Sequence, residues 1–130
     1  KEPPSRLRFI PLKVSAPFHC SLMKPAEEKM RIVLEDLNFE NARHPIAQNV
    51  TAQLETKGTE LREQIIRQIS APVRWVECVT HLKNKGLSTF IECGSGKVLS
   101  GLVKKIVEGE VTVLGTNSLE DLKIIESQLQ

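Results

Sequence analysis

Apolar and polar positions change period several times along the chain. Residues 7–16, "LRFIPLKVSA", alternate in part and are rich in β-formers, which predicts a strand that Pro11 breaks or confines to an edge. From about 21 to 38 the apolar steps lengthen to three and four. Met23, Ala26, Met30, Val33, Leu34 and Leu37 then form one face of an expected helix. Pro25 fits its first turn, Ser21 is a candidate N-cap, and Glu27 and Glu28 suit its positive end. Residues 44–55 suggest a short strand region with polar interruptions, closed by a turn at 56–58.

Thr59 can cap a helix reaching about residue 69, with Leu61, Ile65 and Ile69 inward. The "SAP" of residues 70–72 breaks it. A helix over 73–85 is expected to bury Val76, Val79 and Leu82 and to stop at Gly86. Residues 88–93 and 111–116 have strand character. Between them "GSGK" turns into a helix carrying Val98, Leu99, Leu102, Val103 and Ile106. Ser118 can cap a last helix with Leu119, Leu122, Ile125 and Leu129. Strands alternating with helices favour an α/β layer structure with parallel pairing.

The composition narrows the function classes. At 130 residues the chain is one domain or a piece of one, and 40% hydrophobic with 26% charged residues is ordinary for a soluble globular fold. A net charge of +2 with one Trp, four Phe and no basic stripe gives nucleic acid binding little support. No apolar run approaches the roughly 20 residues of a membrane helix. Cys20, Cys78 and Cys93 are odd in number and lack C-x-x-C spacing, so reduced thiols in a cytoplasmic setting are expected. The start, "KEPPSRLRF", has no initiator Met and no apolar signal core. It is expected to be an entry into the middle of a longer protein.

Candidate chemistry is sparse. "CGSGK" could present amides to a phosphate, but it lacks the Walker spacing and a third dinucleotide glycine, so a tight strand-to-helix turn is the plainer reading. His19, His44 and His81 have no metal-ligand spacing. His81 is expected to be solvated on a charged helix face, and His44 to shape a loop before Pro45. His19 differs, because Pro17 places it in an irregular segment between strand and helix, where side chains can converge on a cleft. Cys20 beside it would make a Cys–His pair only if the two side chains met, and neighbours usually diverge. Gln68 suits a helix end or a surface. Asn49, inside the expected short strand, suits a turn hydrogen bond or a pocket contact.

Three segments taken together, "VSAPFHCSLMKPA" (14–26), "IRQISAPVRW" (66–75) and "FIECGSGKVLSGLVKKI" (90–106), resemble the C-terminal part of the malonyl-CoA:acyl-carrier-protein transacylases of type II fatty acid synthesis. The acyltransferase domains of polyketide and fatty acid synthases are nearby relatives. The resemblance implies the C-terminal part of an α/β-hydrolase-like core over residues 17–130. Residues 1–16 would be the last strand of a ferredoxin-like small subdomain.

The implied activity is malonyl transfer from coenzyme A to the phosphopantetheine thiol of acyl carrier protein through a serine ester, with no bound cofactor. By the same resemblance, His19 would be the general base and then acid, and the main-chain carbonyl of Gln68 would orient its ring. Phe18 would crowd an α-methyl group in the substrate pocket, and Asn49 would lie near that pocket. Lys104 and Lys105 would suit the acidic carrier protein, although a solvated helix face explains them equally well.

The departures shape the expectation. The 130 residues contain no Gly-His-Ser-x-Gly elbow, no Gly-Gln-Gly oxyanion segment and no arginine for the malonyl carboxylate at a matching place. Ser95 falls where the family usually has proline. The chain alone is therefore expected to be inactive, its histidine serving a nucleophile from a portion preceding Lys1. An excised synthase domain and a non-catalytic carrier-protein-binding fragment are the alternatives.

Overall fold

The computed structural model describes residues 16–129, so the strand expected over 7–16 lies outside the described residues but for Ala16. After the turn at His19 comes one turn of 3-10 helix, Ser21–Met23, which runs into α1, Lys24–Glu35. Pro25 sits in the first turn of α1, where a missing N–H leaves nothing unpaired. Ser21 does not cap α1, because the short helical turn intervenes and Met23 precedes the helix.

The expected inward face of α1 is corrected by the structure. Met30, Val33 and Leu37 are exposed, and the buried side chain is that of Glu27. Periodicity puts apolar residues on one stripe but does not choose the surface that a helix docks with. Here α1 meets α2, Gly58–Arg67, with the Arg31–Glu63 ion pair at the contact.

Two short strands, β1 (Ile46–Ala47) and β2 (Leu54–Glu55), pair antiparallel with Ile46 opposite Glu55. Residues 48–53 loop between them, so Asn49 stands in a turn, not within a strand. At the start of α2, Gly58 lies so close to residues 39–40 that an added Cβ would sit 2.0 Å from the Phe39 carbonyl oxygen. The Gly58 amide also donates to Asn41 Oδ1 at 2.9 Å. Thr59 is the second residue of α2 and does not cap it. Leu61 and Ile66 are its buried apolar residues, and Ile66 is fully enclosed.

The second half is a mixed α/β unit with the expected parallel pairing. It comprises α3 (Trp75–Asn84), β3 (Thr89–Glu92), α4 (Val98–Ile106), β4 (Thr112–Gly115) and α5 (Leu119–Leu129). The strands β3 and β4 pair in parallel from Thr89 opposite Thr112 to Glu92 opposite Gly115, with α4 as the crossover. Val79, Val103 and Val107 form the core, with Trp75, Phe90, Ile106, Val111 and Val113 packed against them. Cys78 and Val79 are the buried residues of α3, whereas Val76 is exposed, contrary to the periodic reading.

Local chemistry fixes the ends of these helices. Gly86 takes φ +89° just past α3. Glu92 at the end of β3 accepts the Leu99 and Ser100 amides at 3.0 and 2.8 Å, covering orphan donors at the start of α4. Ser118 and Asp121 bond reciprocally at the start of α5, each side chain to the other's amide.

Candidate functional site

Pro17 and the tight turn after it decide how His19 is presented. Phe18 N–H donates to Ala16 O at 2.9 Å, and His19 takes φ +57°. That left-handed conformation is uncommon for a residue with a Cβ and is held only where the surroundings require it. The turn leaves the imidazole exposed, and its Nδ1 lies 2.9 Å from the main-chain oxygen of Gln68. A carbonyl oxygen only accepts, so Nδ1 carries the proton and Nε2 keeps its lone pair, with no partner among the described residues.

The Gln68 carbonyl is available because of how α2 ends. Gln68 is the C-cap, and its own N–H reaches Gln64 O at 3.0 Å. Ala71 N–H takes the Arg67 carbonyl at 3.1 Å. In a continued helix the Gln68 carbonyl would receive the N–H of residue 72, but that residue is proline and has none. An orphan acceptor is thereby left at the helix terminus for His19.

Cys20 does not pair with His19. Its thiol donates to Pro17 O at 3.1 Å, within its own turn. Phe18 is 55% exposed beside His19. Asn49 and Gln68 both line a groove of about 490 Å³, whose other walls include Phe39, Ile46, Leu61 and Ile65. Phe18 and His19 are not among its lining residues. Among the described residues, the Asn49 side-chain oxygen is buried without a partner, while its main-chain oxygen accepts Arg74 N–H at 2.8 Å. The four candidates thus fall into linked pairs: His19 bonds Gln68, Gln68 shares a groove with Asn49, and Phe18 adjoins His19 in sequence.

Two features escape a reading of the residues alone. Glu27 is buried in the first turn of α1, accepting Lys24 Nζ at 2.8 Å and the Ser70 hydroxyl. The Lys24 ammonium and then the Ser70 hydroxyl hold its carboxyl below the usual range, against a smaller opposing effect of burial. The Lys24–Glu27 spacing signals a local ion pair; nothing in the residue order signals Ser70. His81, expected to be solvated, instead sets Nδ1 3.0 Å from Ala52 O and so ties α3 to the β1–β2 loop.

The glycine turn is not an open phosphate cradle. Gly94 N–H donates to Thr116 Oγ1 at 3.0 Å and Gly96 N–H to Asn117 Oδ1 at 2.6 Å. Among the described residues, no group of three His, Cys, Asp or Glu is placed to hold a metal. No described helix is long and apolar enough to cross a membrane.

A malonyl CoA-acyl carrier protein transacylase of Bacillus subtilis (strain 168) is 44% identical over 123 residues, which are 95% of this chain and 38% of that protein. This chain is homologous to the C-terminal part of malonyl CoA-acyl carrier protein transacylases. The fold agrees. An acyl carrier protein S-malonyltransferase from Vibrio cholerae superposes with TM-score 0.84 at 40% identity, over 91% of this chain and 38% of that one. A malonyl-transacylase in complex with a type II polyketide acyl-carrier protein superposes with TM-score 0.85 at 36% identity, over 92% of this chain and 38% of its match. No protein-family model matches the chain. The chain spans about two fifths of the length of these transacylases.

Proposed function

We propose that this chain carries the base half of a malonyl-transfer site, and that the protein containing it moves malonyl from coenzyme A to the phosphopantetheine thiol of acyl carrier protein. The observation that carries the reading is the His19 Nδ1 to Gln68 O hydrogen bond of 2.9 Å. It leaves Nε2 as a free base and provides an acceptor for the proton that stays on Nδ1 when the ring becomes cationic. A carbonyl does this without a buried carboxylate, a variation on the Ser-His-Asp arrangement.

The nucleophile would be a serine from the part of the transacylases that this chain does not match. His19 Nε2 takes the hydroxyl proton as the serine oxygen attacks the malonyl thioester. The C–S bond breaks, and the imidazolium returns its proton to the departing coenzyme A thiolate. The second half reverses the roles: the carrier thiol gives its proton to Nε2, its sulfur attacks the serine ester, and the serine oxygen recovers the proton. Every atom comes from the substrates and the serine, so no bound cofactor is needed.

In this reading residues 17–130 are the C-terminal part of an α/β-hydrolase-like core. Residues 1–16 close a ferredoxin-like subdomain. Phe18 borders the malonyl pocket and crowds an α-methyl group, and Asn49 offers the groove a polar contact. Acyl carrier protein as partner is supported by the complex of a related malonyl-transacylase with such a carrier. The exposed Lys104 and Lys105 suit an acidic partner. Three free cysteines fit a reducing cytoplasm.

Intact-mass analysis after incubation with malonyl-CoA tests the proposal. The full-length protein should gain one malonyl group on serine and pass it to carrier protein. The 130-residue chain should gain none, and His19→Ala should abolish transfer. An adduct on the chain alone, or unimpaired transfer by His19→Ala in the full-length protein, would overturn it.

A further inference from the structure

We propose that Glu27 is a positioning residue for His19: from the first turn of α1 it grips Ser70 and so holds the Gln68 carbonyl against the imidazole. The inference rests on the base role given to His19 above.

The geometry leaves few other restraints on the ring. Among the described residues, the His19 Nδ1 to Gln68 O bond ties the 16–23 segment to the end of α2; the bonds of Phe18, Cys20 and Met23 stay inside the segment, and Lys24 N–H to Ser21 O joins it to α1. The orientation of the imidazole therefore depends on where α1, which follows the turn directly, sits against the end of α2. Three side-chain links join α1 to α2 and its end, Arg62 Nη1 to Glu35 O at 3.5 Å among them, and the one beside Gln68 is the link that bears on the imidazole. Arg31 pairs with Glu63 further along both helices. Glu27 bonds Ser70, two residues beyond Gln68, in the break before Pro72.

Burial makes the Glu27–Ser70 link specific. A carboxylate removed from water must be paired and hydrogen-bonded, and an apolar residue of similar volume would give cheaper packing. Glu27 meets the requirement with one ammonium and one hydroxyl, at 2.8 Å from Lys24 Nζ and against Ser70 Oγ. If α1 shifted along α2, the hydroxyl would lose the carboxylate, and the ring would lose the carbonyl with it. Lys24 and Ser70 keep the group ionised at neutral pH, so it acts as an acceptor throughout.

The test uses Glu27→Ala, Ser70→Ala, Glu27→Gln and Arg31→Ala. Ring nitrogen-15 shifts report the His19 tautomer, with His81 as the internal reference because it too engages a carbonyl. Steady-state transfer is measured in the full-length enzyme. Glu27→Ala and Ser70→Ala should move His19 away from the Nδ1–H form and lower kcat by about tenfold or more with KM unchanged, as expected for a small misplacement of a catalytic group. Glu27→Gln keeps an acceptor for Ser70 and should retain most of the rate. Arg31→Ala should lower stability and leave the His19 signals alone.

If Glu27→Ala does not fold, Ser70→Ala and Glu27→Gln carry the comparison. Unchanged His19 signals and kcat in Ser70→Ala and Glu27→Ala would sink the inference. Should His19→Ala keep full transfer while Ser70→Ala still moves the ring, the positioning stands and the base role fails. Should His19→Ala abolish transfer while the ring ignores Glu27 and Ser70, the base role stands and the positioning fails.

Discussion

Arg31 of α1 and Glu63 of α2 meet in a two-pronged ion pair, Nη1 and Nη2 each 2.8 Å from one carboxylate oxygen. The planar fork matches the carboxylate, which makes this a link of defined geometry between the two helices. Both side chains remain partly open to solvent. Arg31→Ala should therefore cause only a small loss of stability, and the loss should shrink as salt is raised. Urea melts of wild type and variant at low and high ionic strength measure it; a loss that is large and indifferent to salt would contradict the assignment.

Ile66 is fully enclosed, with no solvent-accessible surface. Removing its side chain beyond Cβ should cost about 2–5 kcal/mol, the range for an aliphatic core residue cut to alanine. Equilibrium unfolding of Ile66→Ala reads this directly. The same truncation at the exposed Val76 should be nearly neutral, although both lie on apolar helix positions.

Two glycines should respond oppositely to alanine. At Gly58 the new methyl would meet the Phe39 backbone, which cannot move aside as a flexible side chain could. A loss of about 1–3 kcal/mol is expected. Gly101, in the middle of α4, has open space where a Cβ would be. There alanine should gain about 0.4–1 kcal/mol by restricting the unfolded chain. Denaturant midpoints at equal slope decide both.

Acid should weaken the α1–α2 contact through two carboxylates. The carboxyls of Glu27 and Glu63 are held below their ordinary range, Glu27 chiefly by Lys24 and Ser70 and Glu63 chiefly by Arg31. A depressed folded-state pKa means stability that is fully present above the unfolded value of about 4 and lost as pH falls through the folded value. Stability measured against pH should thus decline below about pH 4, and the decline should flatten in Glu27→Gln. An unchanged acid limb in that variant would count against the Glu27 contact.

Under the proposed function, Phe18→Ala should relax selection against an α-methyl group. One methyl in an apolar pocket is worth about 1–3 kcal/mol, so the malonyl to methylmalonyl ratio of kcat/KM should fall by roughly tenfold or more. Competition between the two thioesters measures the ratio. An unchanged ratio would remove Phe18 from the pocket.

The residue order already specifies the helices over Lys24–Glu35, Trp75–Asn84, Val98–Ile106 and Leu119–Leu129, and the parallel crossover between β3 and β4. Their signals are local: three- and four-residue apolar spacing, Gly86 past a helix end, and the Ser118–Asp121 cap all act within a few residues. Pro72 is likewise visible as a helix break. What the order leaves open is which side of a helix meets a neighbour. Met30 and Val76 satisfy the period and stay exposed, while Glu27 violates it and is buried. Docking decides that, because burial depends on the surface brought up from elsewhere in the chain. The site depends on it most. His19 and Gln68 are 49 residues apart, and the acceptor is a main-chain carbonyl, a group common to every residue and freed here by a helix that stops. Such an atom has no letter of its own, so only the folded arrangement of α1 against α2 could give His19 its partner.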